Sequence, residues 1–264
     1  MELTEINKDK NGSPFQATIV IPAYNHAEVL ECGLEYLVYH TNQSKYSFEI
    51  VVVDDGSRDS AVKEVAEKYN CRVIVHSVNQ GKGGALVTGV LNSFSKVIVT
   101  IDNDVPFFFS EIEEMVEAVD ADKADLVVGS RYDNLSYFNK ISPLRAKLSQ
   151  IFKFFSNFIL KLDQIDCQCG LKAFNVEAAH FLFKDILCKG FAFDIEILFK
   201  AMLFKMRIKS VPVTIRTMSS STVRLLVDGL KMTWDIFRIK YFYSQFSYKN
   251  RMGKIKLSRK TNSF

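Results

Sequence analysis

Two acidic clusters stand out as chemistry-bearing: Asp54-Asp55-Gly56-Ser57 and Asp102-Asn103-Asp104. Two carboxylates separated by one residue can flank a hard divalent cation together with diphosphate oxygens. A cation held there would neutralise charge on a departing nucleotide diphosphate and act as a Lewis acid. The Asp54 and Asp55 carboxylates can accept hydrogen bonds from a nucleobase N–H and from ribose hydroxyls. Each cluster also has a plainer reading as a capped turn before a helix. Between them lies Asn79-Gln80-Gly81-Lys82-Gly83-Gly84-Ala85, whose glycines permit close backbone approach while Lys82 supplies a cation near phosphate. The GxxxxGK[ST] spacing of a Walker A loop is absent, and a simple glycine turn is the alternative.

The acidic clusters follow the runs FEIVVV (48–53) and VIVTI (97–101), continuous apolar stretches of the kind expected for parallel strands covered on both faces. Ligands of open α/β sheets bind just past such carboxyl ends. From residue 17 onward, ATIVIPA, FEIVVVD, CRVIVHS, KVIVTID and ADLVVGS alternate with helical segments near 27–40, 59–69, from Gly83, and 110–121. Repeated βα units predict a mostly parallel, doubly wound α/β sheet. The polar ends, 1–14 and 249–264, read as flexible tails. The segment between them, 15–248, reads as one folded unit whose character divides it into 15–131 and 132–248.

After Arg131 the chain becomes richer in Phe, Tyr, Lys and Arg. Residues 144–162 place Leu144, Leu148, Ile151, Phe155, Phe158 and Leu162 at helical spacing with cations between them, and a second aromatic stretch covers 223–248. Both predict amphipathic helices. Their apolar faces suit either packing on the sheet or docking at a lipid boundary, with cations at anionic headgroups.

Composition narrows the classes. The 264 residues are 48% hydrophobic, enough for a sizeable core, and 34 Lys and Arg against 30 Asp and Glu give +4, no general field for nucleic acid. Five cysteines, an odd number without a CxxC pair, argue against a disulfide framework or zinc site and fit a reducing cytosol. The N-terminus lacks a signal-peptide apolar core, and no uncharged apolar run reaches the roughly 18 residues of a spanning helix. The four histidines show no metal-ligand spacing and are expected in structural roles, and the alternation of Cys167 and Cys169 fits a strand.

The ordered set Ile21-Pro22-Ala23-Tyr24-Asn25, VVVDDGS, NQGKGGAL, IDND, GSRY (129–132), DCQCGLKAF (166–174), FAFDIEIL (191–198) and VPV (211–213) resembles family 2 glycosyltransferases, most of all their dolichyl-phosphate mannose and glucose synthase branch. The resemblance covers about residues 17–245. It implies a GT-A fold, Rossmann-like with a mostly parallel sheet, a UDP- or GDP-sugar donor, Mg²⁺ or Mn²⁺, a polyprenyl (dolichyl or undecaprenyl) phosphate acceptor, and inversion at the anomeric carbon. By the same resemblance Pro22, Tyr24, Asn25, Asp54, Asp55, Lys82, Asp102 and Asn103 are expected at the nucleotide sugar, and Asp102 and Asp104 at the metal. Arg131, Arg145 and Ser149, with Ser221 and Arg224, are expected at the acceptor phosphate. Three departures from the family pattern appear. Val105-Pro106-Phe107-Phe108 replaces a glutamine-bearing segment, His26 stands where a glutamate is usual, and the nearest cations to Ser221 are Arg216 and Arg224.

A phosphomonoester acceptor, with a second pKa of about 6, is already largely dianionic at neutral pH and needs no base. It needs positioning and charge screening, which Arg131 and Arg145 supply through bidentate contacts, making them, with Asp102 and Asp104, the expected catalytic set. Asp166, Asp194 and Glu196 are candidates for base or sugar contact, with structural pairing to Lys172 or another cation as the alternative. The competing functions are a same-fold transferase using a glycan or other hydroxyl acceptor in cell-surface polysaccharide synthesis, and a non-catalytic nucleotide-sugar binding protein. A peripheral position on the cytoplasmic face of a membrane, with or without a separate membrane subunit, completes the expectation.

Overall fold

The aliphatic runs form the strands that their β-branched composition predicts: β1 (Ala17–Ala23), β2 (Phe48–Asp54), β3 (Arg72–Val75), β4 (Val97–Thr100) and β5 (Leu126–Ser130). Helices α1 (Ala27–Thr41), α2 (Ala61–Lys68), α3 (Lys82–Leu91) and α4 (Phe109–Asp120) connect them. The computed structural model describes residues 14–131, 143–160, 162, 165–190, 192–216 and 225–245. Both expected tails therefore lie outside it, apart from residue 14.

The second half supplies α5 (Pro143–Leu160), β6 (Lys172–Asn175), α6 (Val176–Phe183), α7 (Phe193–Leu203), β7 (Ile208–Pro212) and α8 (Leu225–Gln245). Strand order in the seven-stranded sheet is β3-β2-β1-β4-β6-β5-β7. Every pairing is parallel except those of β6, which runs antiparallel to β4 and β5, with Thr100 opposite Lys172 and Val128 opposite Lys172. Sequence pattern did not anticipate β6, β7, α6 or α7. A four-residue strand opening on lysine has neither an aliphatic run nor a polar alternation to mark it. Cys167 and Cys169 fall in the turn before β6 rather than in a strand.

Successive strand residues feed opposite cores. Ile19, Ile21 and Val52 pack with Leu30, Leu34 and Leu37 of α1 and Ile112, Met115 and Val116 of α4. Val20, Val51 and Val53 pack with Leu86 of α3, Phe183 of α6 and Ile195 of α7. The α8 residues Met232, Ile236, Ile239 and Tyr243 join this second core. Helices α5 and α8 meet through an edge-to-face pair, Phe155 and Phe237, with ring centroids 5.9 Å apart. Their outer stripes are left uncovered: Phe154, Phe158, Trp234 and Tyr241 are each about 70% exposed, and Ile151 and Phe237 about half. The expected packing into the core thus holds for one stripe, and the other lies on the protein surface. Among the described residues no helix is long and apolar enough to cross a membrane.

Candidate active site

Parallel strands β1, β2, β4 and β5 end on one edge of the sheet, and antiparallel β6 begins there. This is the edge at which doubly wound sheets bind ligands. It carries Tyr24 and Asn25 after β1, Asp54 and Asp55 at β2, Asp102 to Asp104 after β4, Arg131 after β5, and Lys172 at the start of β6.

At the β1 and β2 ends, side-chain oxygens interlock the turns. Asn25 and His26 both adopt left-handed φ, 53° and 52°. The Asn25 N–H donates to Ser57 Oγ at 2.8 Å, and the Arg58 N–H donates to Asn25 Oδ1 at 3.1 Å. Asp54 Oδ1 accepts from the Ser57 N–H at 2.9 Å, closing a turn of the kind short polar side chains favour. The buried Asp55 carboxylate accepts from the N–H groups of Gln80 and Gly81, each at 2.8 Å. Pro22 is buried in β1, whereas Tyr24 is 41% exposed.

The glycine loop differs from expectation in one respect. Its amides are engaged within the protein: Gly81 N–H on Asp55, and Gly83 and Gly84 N–H on the Lys189 carbonyl at 2.9 and 3.3 Å. What the loop directs toward the edge is the Lys82 side chain, whose ammonium lies 2.5 Å from Asp102 Oδ1. Asp102 in turn rests on Gly170, where an added Cβ would sit 2.4 Å from its Oδ2. Any side chain at 170 would displace the carboxylate.

Burial opposes the charge on Asp102, but Lys82, and then Lys172 and Arg131, outweigh it and hold the carboxyl below its ordinary range. Asp104 adds to the field that keeps Lys82 protonated. The donor set fits a hard divalent cation. Asp102 and Asp104 offer oxygen only, and a cation there would share Asp102 with the Lys82 ammonium. Among the described residues no group of three or more His, Cys, Asp and Glu side chains forms a metal cage. The protein would thus contribute two carboxylates and leave the other positions to phosphate oxygens and water, the usual arrangement for Mg²⁺ at substrate phosphates.

The turn after Asp104 is strained. Val105, a β-branched residue, has φ 42°, a region such residues rarely enter. Arg216 braces it: its N–H donates to the Pro106 carbonyl at 2.6 Å, its Nη2 donates to the Val105 carbonyl at 3.2 Å, and its guanidinium lies 3.8 Å from the Tyr36 ring centroid.

At the β5 and β6 ends, charged side chains pair with one another. Arg131 Nε and Nη2 donate to the two oxygens of Asp166 at 2.8 and 2.9 Å, and the Arg131 N–H adds a third bond at 3.2 Å. Burial resists ionisation of Asp166, yet the guanidinium and these bonds prevail and lower its pKa. The buried Lys172 ammonium donates to Asp194 and, at 2.5 Å, to the Cys169 carbonyl. For Asp194 burial wins and raises the pKa, with Lys172 and Lys82 offsetting part of the shift. Glu196 is placed elsewhere. It accepts from the Leu187 and Cys188 N–H groups and from the Tyr243 hydroxyl at 2.7 Å, fastening α8 to the loop before α7.

Ser149 lies half-buried on α5, and the backbone of Arg145 lies on the same helix, its side chain outside the described residues, as are Ser221 and Arg224. Burial pushes the Cys167 thiol up to about 11 and that of Cys169 up to about 12, so both are inert packing groups. Sequence reasoning gave His76, whose Nδ1 lies 2.8 Å from Asp55 Oδ1, only a structural role without a partner and Lys172 only a supporting place. Spacing carries no signal for either, since each reaches its partner across 20 residues or more of chain.

The family model described as glycosyl transferase family 2 matches residues 18–183. Among curated relatives, dolichyl-phosphate beta-glucosyltransferase of Dictyostelium discoideum is 31% identical over 242 residues, covering 86% of this chain and 74% of the relative. The Homo sapiens protein of the same description is 30% identical over 246 residues, covering 86% and 76%. Among solved structures, glucosyl-3-phosphoglycerate synthase of Mycobacterium tuberculosis in complex with Mn²⁺, uridine diphosphate and glucosyl-3-phosphoglycerate superposes with a TM-score of 0.65 at 17% identity, covering 85% of this chain and 78% of that one. Mannosyl-3-phosphoglycerate synthase of Rubrobacter xylanophilus gives 0.60 at 15% identity, covering 95% and 79%. The matching sheet and helices are those of the GT-A fold, and with the family model and the relatives in agreement, this chain belongs to glycosyl transferase family 2 and is a glycosyltransferase.

Proposed function

We propose that the protein transfers a hexose, with glucose favoured by its relatives, from a UDP- or GDP-sugar to a polyprenyl phosphate. The observation that carries this reading is the place of Asp102, which pairs with Lys82 and lies against Gly170, within the 166–172 segment that holds Arg131 through Asp166 and begins β6 with Lys172. A donor diphosphate beside Lys82 and an acceptor phosphate beside Arg131 would therefore occupy one cleft. In this reading the turns at Pro22, Tyr24, Asn25, Asp54 and Asp55, with Asn103, shape the nucleotide side. Arg131, Arg145, Ser149, Ser221 and Arg224 serve the acceptor side.

The acceptor phosphate oxygen bonds to the anomeric carbon as the bond from that carbon to the nucleoside diphosphate breaks, giving inversion and a free nucleoside diphosphate. The nucleophile is already anionic, so no side chain removes a proton. A divalent cation at Asp102 and Asp104, Mg²⁺ or Mn²⁺, would supply charge neutralisation on the leaving diphosphate. Lys82 balances that charge from the protein side, and Arg131, fixed in plane by Asp166, orients the incoming phosphate. Glu196, already committed to two backbone amides and Tyr243, serves as a brace.

The uncovered aromatic stripe of α5 and α8, with exposed Lys147, Lys231, Arg238 and Lys240 near it, suits a peripheral position on the lipid surface where such an acceptor resides. The free state of all five cysteines agrees with the cytoplasmic face. The span 15–248 is read as one catalytic unit. The deciding experiment offers the protein UDP- and GDP-hexoses, Mg²⁺ or Mn²⁺, and either a short polyprenyl phosphate or a panel of hydroxyl acceptors. A glycosyl phosphate product by mass is expected. Turnover of hydroxyl acceptors alone would instead support the polysaccharide reading, and nucleotide-sugar binding without turnover a non-catalytic role.

A further inference from the structure

We propose that His76 is a positioning residue for sugar transfer, acting through Asp55 to fix the Gln80–Gly81 backbone and so the starting point of the Lys82 side chain. The inference rests on the donor-side reading of Lys82. It begins with a buried network that the transfer chemistry does not itself require. His76 follows β3, its N–H donates to the Asp54 carbonyl at 2.8 Å, and its side chain is 6% exposed. Nδ1 lies 2.8 Å from Asp55 Oδ1, and Nε2 lies 2.9 Å from Thr88 Oγ1 on α3.

Three donors converge on Asp55: His76, the Gln80 N–H and the Gly81 N–H. A carboxylate that only accepts requires Nδ1 to carry hydrogen, which fixes the ring's orientation from one side, and Thr88 fixes it from the other. Asp55 is thereby left one geometry, set by β2 and β3 together. Gly81, whose amide that geometry seats, has φ 85° and no room for a Cβ, which would meet the Lys189 carbonyl at 2.8 Å. Lys82 is the next residue and the first of α3, and its ammonium spans the cleft to Asp102. The sequence of contacts is therefore Thr88, His76, Asp55, Gly81, Lys82, Asp102. A ring that merely filled space would not engage Asp55 through one nitrogen and Thr88 through the other. A group held this way governs placement of a charge, and misplacement of a positioned charge costs rate without unfolding the protein.

The experiment compares His76→Phe, His76→Asn and His76→Gln in the full chain. An asparagine amide reaches the place of Nδ1 and keeps a donor for Asp55, whereas a glutamine amide reaches the place of Nε2 and keeps only Thr88. Amide hydrogen exchange at Gln80 and Gly81 and separate donor and acceptor KM values are measured alongside thermal melting. In His76→Phe the two amides should exchange about tenfold faster and the donor KM should rise about tenfold, with the acceptor KM unchanged. His76→Asn should recover most of both effects and His76→Gln neither. Unchanged exchange, equal rescue by Asn and Gln, or donor and acceptor KM rising together would overturn the proposal. If His76→Phe does not fold, the contrast between Asn and Gln decides alone. A wild-type protein that turns over no nucleotide sugar while the exchange pattern holds would sink the donor reading, and the role of His76 in transfer with it, but not the physical tie to the loop.

Discussion

At the ends of β1 and β2, the proposed donor side, Asp54 and Asp55 are held mainly by backbone N–H groups, whereas at the ends of β5 and β6, the proposed acceptor side, Asp166 and Asp194 are held by the side-chain cations of Arg131 and Lys172. Backbone amides need no counter-charge to hold a carboxylate, so exchanging a nearby side chain that does not itself reach that carboxylate leaves them in place. A buried ion pair depends on both partners, because removing one leaves an uncompensated charge in a poorly solvated place. The donor side should thus tolerate substitution around it except at His76, which reaches Asp55 itself, and the acceptor side should respond to any change in charge. Asp102 joins the two, resting on Gly170 from one and paired with Lys82 from the other.

The sharpest test of this contrast is at the junction. Asp102→Asn should lower kcat/KM by about 10²–10³-fold, the range seen when a preorganised electrostatic group is lost, with melting little changed. Next, Lys172→Met should cost about 3–5 kcal/mol in denaturant unfolding, and the double variant Lys172→Met/Asp194→Leu should recover much of it, because an apolar pair carries no desolvation cost. A double variant as unstable as the single one would show that shape, not charge, holds this side. Third, Arg131→Lys keeps the charge and loses the fork, so the acceptor KM should rise about tenfold while the donor KM stays put.

A subtler effect separates the two carboxylates of the acceptor side by pH. The Asp166 pKa is lowered in the folded protein, so its contribution is fully present above the unfolded carboxylate value, about 3.9, and is lost as pH falls through the folded value. The Asp194 pKa is raised, so its contribution has the opposite slope, declining as pH climbs above about 3.9. Asp166→Asn should flatten the acid limb of the stability curve, and Asp194→Asn should steepen it, in urea unfolding below about pH 5. The smallest change in stability is expected at the surface. Trp234→Ala should shift unfolding by no more than about 0.5 kcal/mol. It should nevertheless weaken sedimentation with anionic vesicles about tenfold, the loss of one large aromatic from the lipid boundary.

The sequence made the donor side legible because its parts are local. A run of β-branched residues ending in acid marks a strand and what lies past it, and β2 and β4 end within a residue or two of where FEIVVV and VIVTI do. The helix boundaries of α1, α3 and α4 follow the apolar period for the same reason. The acceptor side was legible only through motif resemblance. Arg131 meets Asp166 across 35 residues and Lys172 meets Asp194 across 22, and nothing in spacing says which carboxylate finds which cation. A buried lysine at the head of a four-residue strand contradicts the pattern by which strands are recognised. Glu196, adjacent in sequence to the Asp194 region, turned the other way because Leu187, Cys188 and Tyr243 offered it hydrogen bonds.

The brace of Arg216 on the Val105 turn has a mechanical consequence. The left-handed valine is restrained twice, locally through its N–H on the Asp102 carbonyl at 3.0 Å and from 111 residues later through Arg216, just past β7. Asp104 immediately precedes this valine, so loosening Arg216 would free the turn on which the Asp104 backbone is set.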